Sequence, residues 1–281
     1  MGLTPYATSG FENIFYGGFP SLINPMTFTI FITGAADGIG KATARLFAAR
    51  GWCVGLFDVN REGLEWLAAE LGPERCTAFP GDVTRAEDLR AALAAFATAH
   101  KDRLDVLFNN AGILVPGEFD EVPWEAHERT VTVNLLGVMK ATYEALPYLK
   151  RSERACIVNM ASASALFGIP DLPAYAATKA AVRSLTEAWS LAFEKHDIRV
   201  TDLAPMFVRT RMVTDNLGKF AGVREADVKL TPEGVAARVW KAAHGADLHH
   251  YVGADTVLLN FAKRIVPEWA VRRIVKRVIR Y

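Results

Sequence analysis

The sequence predicts an α/β fold: a doubly wound sheet of parallel strands in a single domain, with an N-terminal extension and a basic C-terminal helix. Three observations carry this expectation. From Thr27 onward, short apolar runs alternate with longer amphipathic ones, and strand–helix alternation of that kind builds a parallel sheet with helices on both faces. The 281 residues are 51% hydrophobic, enough to cover a sheet on both sides. No internal repeat or low-complexity linker divides the chain.

Taken in order, residues 28–33 read as the first strand and 39–50 as a helix ended by Gly51. Residues 52–57 form a second strand, and 61–71 a helix with Asn60 at its capping position. A weaker strand covers 75–79, an alanine-rich helix that Thr84 would cap covers 85–100, and a strand covers 104–108. A long helical region spans 124–149, followed by a strand at 156–160, a helix at 174–195 and a strand at 198–203. After an irregular stretch at 205–230 come a helix at 231–244 and a last strand within 251–259. Residues 1–25 read as a poorly structured extension, 26–260 as the main domain and 261–281 as the basic helix. Met26 would make a natural start immediately before the first strand.

Charge and composition exclude several classes. Lysine and arginine number 32 against 31 acidic residues, a net charge of +1, which gives no overall attraction to nucleic acid. The uncharged run at 13–36 contains Pro20, Asn24, Pro25 and the Gly17-Gly18 pair, which argues against a membrane-spanning helix. No basic stretch precedes it, as a secretory signal requires. The three cysteines, Cys53, Cys76 and Cys156, form no CxxC pair, and their odd number fits a reducing, cytoplasmic setting. His249 and His250 are adjacent rather than one helical turn apart, so no metal is expected.

Between the first strand and the first helix lies Thr33-Gly34-Ala35-Ala36-Asp37-Gly38-Ile39-Gly40. Gly34 permits a tight turn, Gly38 lets backbone approach a pyrophosphate, and Gly40 lets the helix pack closely on the sheet. The helix N-terminus at Ile39 supplies N–H donors and a positive dipole end. An ordinary strand-to-helix turn is the plainer alternative, but the strand before and the helix after favour dinucleotide binding and a Rossmann-type sheet. Asp58 ends the second strand, 18 positions after Gly40. A carboxylate there accepts the ribose hydroxyls of NAD and repels the 2′-phosphate of NADP. Asp37 adds a second acid. Singly, Asp37 is a turn former and Asp58 a helix-capping acid; together they favour NAD, with NADP second.

Farther along, Gly81-Asp82-Val83 follows the third strand and Asn109-Asn110-Ala111-Gly112 the fourth. Asn134, Ser162, Tyr175 and Lys179 follow, separated by 28, 13 and 4 positions. With the TGxxxGIG form of the turn, this set resembles the short-chain dehydrogenase/reductase family over about residues 26–250. The resemblance implies that Asp82 and Val83 contact adenine, that Asn110, Ala111 and Gly112 line the adenosine site, and that Val208 and Thr210 face the nicotinamide amide. It assigns catalysis to Asn134, Ser162, Tyr175 and Lys179, with Tyr175 and Lys179 also at the nicotinamide ribose. It implies a mobile lid over 211–229 and a homodimer or homotetramer formed through the helices carrying Asn134 and Tyr175. One departure is Pro205-Met206, where the family commonly has Pro-Gly. Methionine cannot take glycine conformations freely, which puts the shape of that loop in question.

The chemistry explains the residue types. Ketone reduction needs a hydride on one face and a proton at the oxygen. Tyr175 is the candidate acid/base; its phenol, ordinarily near pKa ~10, would be lowered by the Lys179 ammonium one turn later. Ser162 would hold the substrate oxygen, with Ser164 a close competitor. By the resemblance, Asn134 links Lys179 through water to solvent. The expected function is NAD-dependent interconversion of a secondary alcohol and a ketone. The substrate is apolar if Leu114, Leu166, Phe167, Ile169, Leu172, Phe207, Met212 and Phe220 line a pocket rather than the core. The alternative is a non-catalytic dinucleotide-binding or sensor protein on the same fold, for which the Tyr175–Lys179 pair would have no chemical use.

In the tail, Val271, Ile274, Val275 and Val278 share one helix face, and Arg272, Arg273, Lys276, Arg277 and Arg280 the other. Packing on the domain or a partner subunit is the favoured reading. Peripheral membrane contact is the alternative.

Overall fold

The structure, a computed structural model, describes residues 28–220 and 225–278. The extension expected over residues 1–25 lies outside the described residues. The chain begins with β1 (Thr29–Thr33), α1 (Gly38–Ala49), β2 (Cys53–Asp58), α2 (Arg61–Leu71), β3 (Cys76–Pro80) and α3 (Ala86–Thr98). It continues with β4 (Val106–Asn109), α4 (Trp124–Val131), α5 (Gly137–Leu149), β5 (Cys156–Met160) and α6 (Pro173–Ala192). The last part holds β6 (Arg199–Pro205), the short α7 (Arg211–Thr214), α8 (Pro232–His244), β7 (His249–Val252), α9 (Ala254–Ile265) and α10 (Glu268–Val278).

Among the described residues the strands form one parallel sheet in the order β3-β2-β1-β4-β5-β6-β7. The chain starts mid-sheet, winds out to β3, then crosses back over β1 and winds out to β7. This is the doubly wound, Rossmann-type arrangement. β1, β4 and β5 are buried along their whole length, which is why they read as near-continuous apolar runs. Successive residues of β1 serve opposite faces. Ile30 and Ile32 pack with Phe47 of α1 and Val235 and Val239 of α8; Phe31 packs with Phe96 of α3 and Ala141 of α5.

Local signals set several boundaries. Asn60 caps α2 by accepting the Gly63 N–H at 3.1 Å, and Thr231 caps α8 in the same way through Gly234. Thr84 does not cap α3: its N–H donates to Asp82, and the helix begins at Ala86. The long helix expected over 124–149 is interrupted by a π turn, Thr132–Leu136. The last strand is earlier and shorter than expected. Gly253, at φ 97°, ends it, and the apolar run beyond forms α9. A short apolar run carries too little periodicity to separate strand from helix. The boundary expected at 260/261 therefore falls inside α9. Among the described residues, no helix is long and apolar enough to cross a membrane.

Candidate active site

The carboxyl ends of the parallel strands meet in a crevice, and the glycine turn between β1 and α1 forms its floor. Gly34 and Gly38 have φ of 68° and 52°, where a side chain is strained. A Cβ on Gly34 would also lie 2.8 Å from the Ala111 backbone. A Cβ on Gly40 would collide with the Gly34 carbonyl just beyond β1 and with the Asn110 amide just beyond β4, so Gly40 lets α1 begin close against the end of the sheet. The segment after β4 pins the turn. The Asn110 amide donates to the carbonyls of Thr33 and Gly34 at 3.1 and 2.9 Å. The Thr33 hydroxyl accepts from the N–H groups of Asn110 and Ala111. α1 has no side-chain cap and no acid in its first turn, so its N–H donors and positive dipole end are left for an anion.

Two adjoining cavities share Gly34, Asp58, Ala111 and Gly112. One, of about 480 Å³, is lined by Gly81, Asp82, Val83 and Ile113. The other, of about 290 Å³, is lined by Asp37, Gly38, Ile39, Asn110, Ser162, Tyr175, Lys179, Val208 and Thr210. Every residue that the sequence assigned to a cofactor thus lines one cavity or both, except Gly40, which sits beneath the turn.

The two acids have different environments. The Asp58 carboxylate accepts the N–H groups of Ala36 and Asn60 at 3.0 and 2.9 Å. A carboxylate has about four acceptor positions, so two remain for ribose hydroxyls. Asp37 instead forms an ion pair with Arg211 of α7 at 2.5 Å. Burial opposes its ionisation, but the Arg211 hydrogen bond holds its carboxyl below the ordinary carboxylate range. Arg211 therefore neutralises the second acid that the sequence counted against NADP. Sequence alone does not reveal this pair, because Arg211 and Asp37 are 174 positions apart.

Ser162, Tyr175 and Lys179 converge on the smaller cavity. Ser162 lines the cavity with Tyr175 and acts to lower the pKa of its phenol, while Ser164 is buried in the following turn with its hydroxyl unpartnered. Ser162, not Ser164, faces the cavity. Lys179 is 3% exposed; its ammonium donates to the Met160 carbonyl at 2.7 Å and lies 5.5 Å from the Tyr175 ring centre. Burial pushes the Tyr175 phenol up to about 12, opposed by Ser162, and pushes Lys179 down to about 8. The downward shift expected for Tyr175 is thus reversed. Desolvation of the buried phenol sets the direction and outweighs the opposing effect of Ser162.

Asn134 is fully buried in the π turn. Its side chain straps the Ile113 backbone, accepting from its N–H at 2.8 Å and donating to its carbonyl at 2.9 Å. It makes no direct bond to Lys179, but both approach Gly112, where a Cβ would lie 3.3 Å from the Asn134 oxygen and 3.8 Å from the lysine nitrogen.

Above the cavity, Leu114, Ile169, Leu172, Phe207 and Phe220 pack with Val213 and Val228 against Tyr175. Met212 lines the cavity directly. Leu166 is buried and Phe167 half-buried outside this cluster. Met206 also lines the cavity. Among the described residues, non-glycine positive φ occurs at Lys101, Asp102 and Asp197, so Met206 replaces glycine without strain.

A family profile described as short chain dehydrogenase matches residues 28–219. The chain is 35% identical over 205 residues to a 3-oxoacyl-(acyl-carrier-protein) reductase of Thermotoga maritima, covering 72% of this chain and 82% of that protein. It is 31% identical over 222 residues to an NAD-dependent glycerol dehydrogenase of Listeria innocua, covering 78% and 85%. Among solved structures, a 3-ketoacyl-(acyl-carrier-protein) reductase from Brucella melitensis complexed with NADH matches with a TM-score of 0.71 at 29% identity, over 80% of this chain and 96% of that one. Levodione reductase matches with a TM-score of 0.75 at 26% identity, over 83% and 99%.

Proposed function

The chain belongs to the short-chain dehydrogenase/reductase family and is an NAD(P)-dependent oxidoreductase acting on CH–OH groups; from that premise we propose that it interconverts an apolar secondary alcohol and its ketone with NAD(H), Tyr175 serving as acid and base. The observation that carries this reading is the convergence of Ser162, Tyr175 and Lys179 on the cavity that also holds the start of α1. The site fits a dinucleotide. The uncapped helix N-terminus suits a pyrophosphate, the adjoining 480 Å³ cavity suits an adenosine, and Asp58 retains acceptors for ribose hydroxyls. When bound, the nicotinamide supplies or accepts the hydride.

The protein's own residues manage the oxygen and its proton. Ser162 donates to the carbonyl oxygen and stabilises its developing charge. Tyr175, protonated throughout the neutral range, gives its proton to that oxygen in the reducing direction. Lys179 is charged below about pH 8, and its ammonium stabilises the phenolate left behind. Asn134 holds the Ile113 backbone beside the lysine and serves the route by which solvent returns the proton.

NAD is favoured over NADP because Asp58 presents a fixed negative charge where a 2′-phosphate would lie; Asp37, paired with Arg211, adds little. An apolar substrate is supported by Met206, Met212 and Val213, which line the catalytic cavity; Leu114, Ile169, Leu172, Phe207 and Phe220 instead pack with Tyr175 as a hydrophobic cluster beside it. The test is turnover of a panel of alcohols and ketones with both cofactors. Tyr175→Phe should lower turnover by at least about a thousandfold while NADH still binds, as read by its fluorescence. In the same assays Asp58→Ala should narrow the preference for NAD. Turnover near wild type in Tyr175→Phe would overturn the assignment of the acid.

A further inference from the structure

The helices after the last strand carry an apolar stripe that the fold does not use. On α9, Thr256 is buried against β7 and its hydroxyl donates to the Val252 carbonyl. Val257, Leu258, Phe261 and Ile265 are each more than half exposed, and their spacing places them on one side of the helix, away from Thr256. Trp269, at the start of α10, is 65% exposed. Soluble surfaces carry scattered apolar residues, but four large ones on one helix face, with an exposed tryptophan at the start of the next helix, mark a contact surface.

The surrounding charge indicates what the surface contacts. Residues 254–281 hold seven basic residues against Asp255 and Glu268, a net charge of +5. The whole chain carries +1, so the rest of it carries −4. Lys263, Arg272, Arg273 and Lys276 are exposed, and the Arg273 guanidinium lies over the Trp269 ring at 5.7 Å. A second copy is a poor occupant. A two-fold contact through this face would bring the basic residues of both copies together, with only two acids each to offset them. An anionic lipid surface satisfies both features, taking the apolar stripe below the headgroups and the basic residues among them.

We propose that α9 and α10 form an interfacial membrane anchor that binds anionic lipid. The anchor leaves the sheet on the catalytic side. β7 ends at Val252, paired with Pro205 of β6, and Pro205 and Met206 line the catalytic cavity. A protein seated by α9 therefore holds this edge of the sheet toward the bilayer. The proposal concerns location and stands whether or not the substrate assignment does.

The test is co-sedimentation of the full-length protein with vesicles of phosphatidylcholine alone and of phosphatidylcholine with phosphatidylglycerol. Binding should require phosphatidylglycerol and weaken with salt. Each basic residue near the surface contributes about fivefold, so Arg272→Glu with Arg273→Glu should lower affinity by at least about tenfold. Leu258→Ser with Phe261→Ser should also release the protein, with turnover in solution and thermal melting unchanged, because both side chains are exposed. The proposal is overturned if the wild-type protein stays in the supernatant at low salt, or if the charge variant sediments like wild type. It is equally overturned if the serine variant merely abolishes self-association in a protein that never sediments.

Discussion

Lys179 shows how a single residue sets chemistry against stability. Its ordinary pKa is 10.5 and burial lowers it to about 8, so the folded state releases a proton that the unfolded chain keeps. Stability from this group therefore rises between about pH 8 and 10.5, and the full cost of the buried charge is present below pH 8. Lys179→Met should stabilise the unliganded protein at pH 7 by up to about 3 kcal/mol, less roughly 1 kcal/mol for the lost bond to Met160, and should abolish turnover. Urea unfolding at pH 7 and near pH 10 checks this; the gain should shrink at the higher pH. Tyr175 acts in the opposite sense above pH 10. Its pKa of about 12 means that the folded state keeps its proton longer than the unfolded chain, so the measurement belongs below that window. A variant no more stable at pH 7 would show that the ammonium is better solvated than its surroundings indicate.

At the scale of the element, α1 depends on two kinds of glycine, one where the β1–α1 turn enters the helix and one beyond its C-terminus. Gly40 is required by contact, since any Cβ meets the Gly34 carbonyl and the Asn110 amide. Gly51 is required only by conformation, with φ 83° and open space around it. Gly40→Ala should cost about 1–3 kcal/mol through overpacking and weaken NADH binding by displacing the turn. Gly51→Ala should cost about 1–2 kcal/mol for the left-handed backbone and leave NADH binding unchanged. Thermal melts and NADH titrations of the two variants separate the effects. Equal binding in both would detach the turn from the cofactor. The same turn was readable from sequence because its glycines and its flanking periodicities lie within one short segment. Arg211 was not readable, because the ion pair it makes with Asp37 is created by the fold bringing α7 over α1.

For the whole molecule, an exposed apolar surface on α5 and α6 sets the expected assembly. Leu136, Met139 and Tyr143 on the π turn and α5, and Leu191 on α6, are exposed, Tyr143 and Leu191 by 73% and 75%. A homodimer or homotetramer through these helices would cover them. Light scattering on the purified protein should give a multiple of the chain mass, and Met139→Glu with Tyr143→Glu should shift it toward the monomer; a monomeric wild type would refute the arrangement.

The order of strands and helices and the nucleotide turn follow from local pattern, because periodicity, caps and short spacings are properties of neighbouring residues and survive folding largely unchanged; Ser162, Tyr175 and Lys179 are singled out by the resemblance to the family. The break of the long helix at Thr132–Leu136, the end of β7 at Gly253, the neutralisation of Asp37 and the raised pKa of Tyr175 do not follow from local pattern. Asp37 depends on a partner 174 positions away, Tyr175 on desolvation, and the π turn holds Asn134 against the distant Ile113 backbone; Gly253 ends β7 after an apolar run too short to separate strand from helix. Burial and charge pairing arise only when the chain closes on itself, and no linear pattern records them.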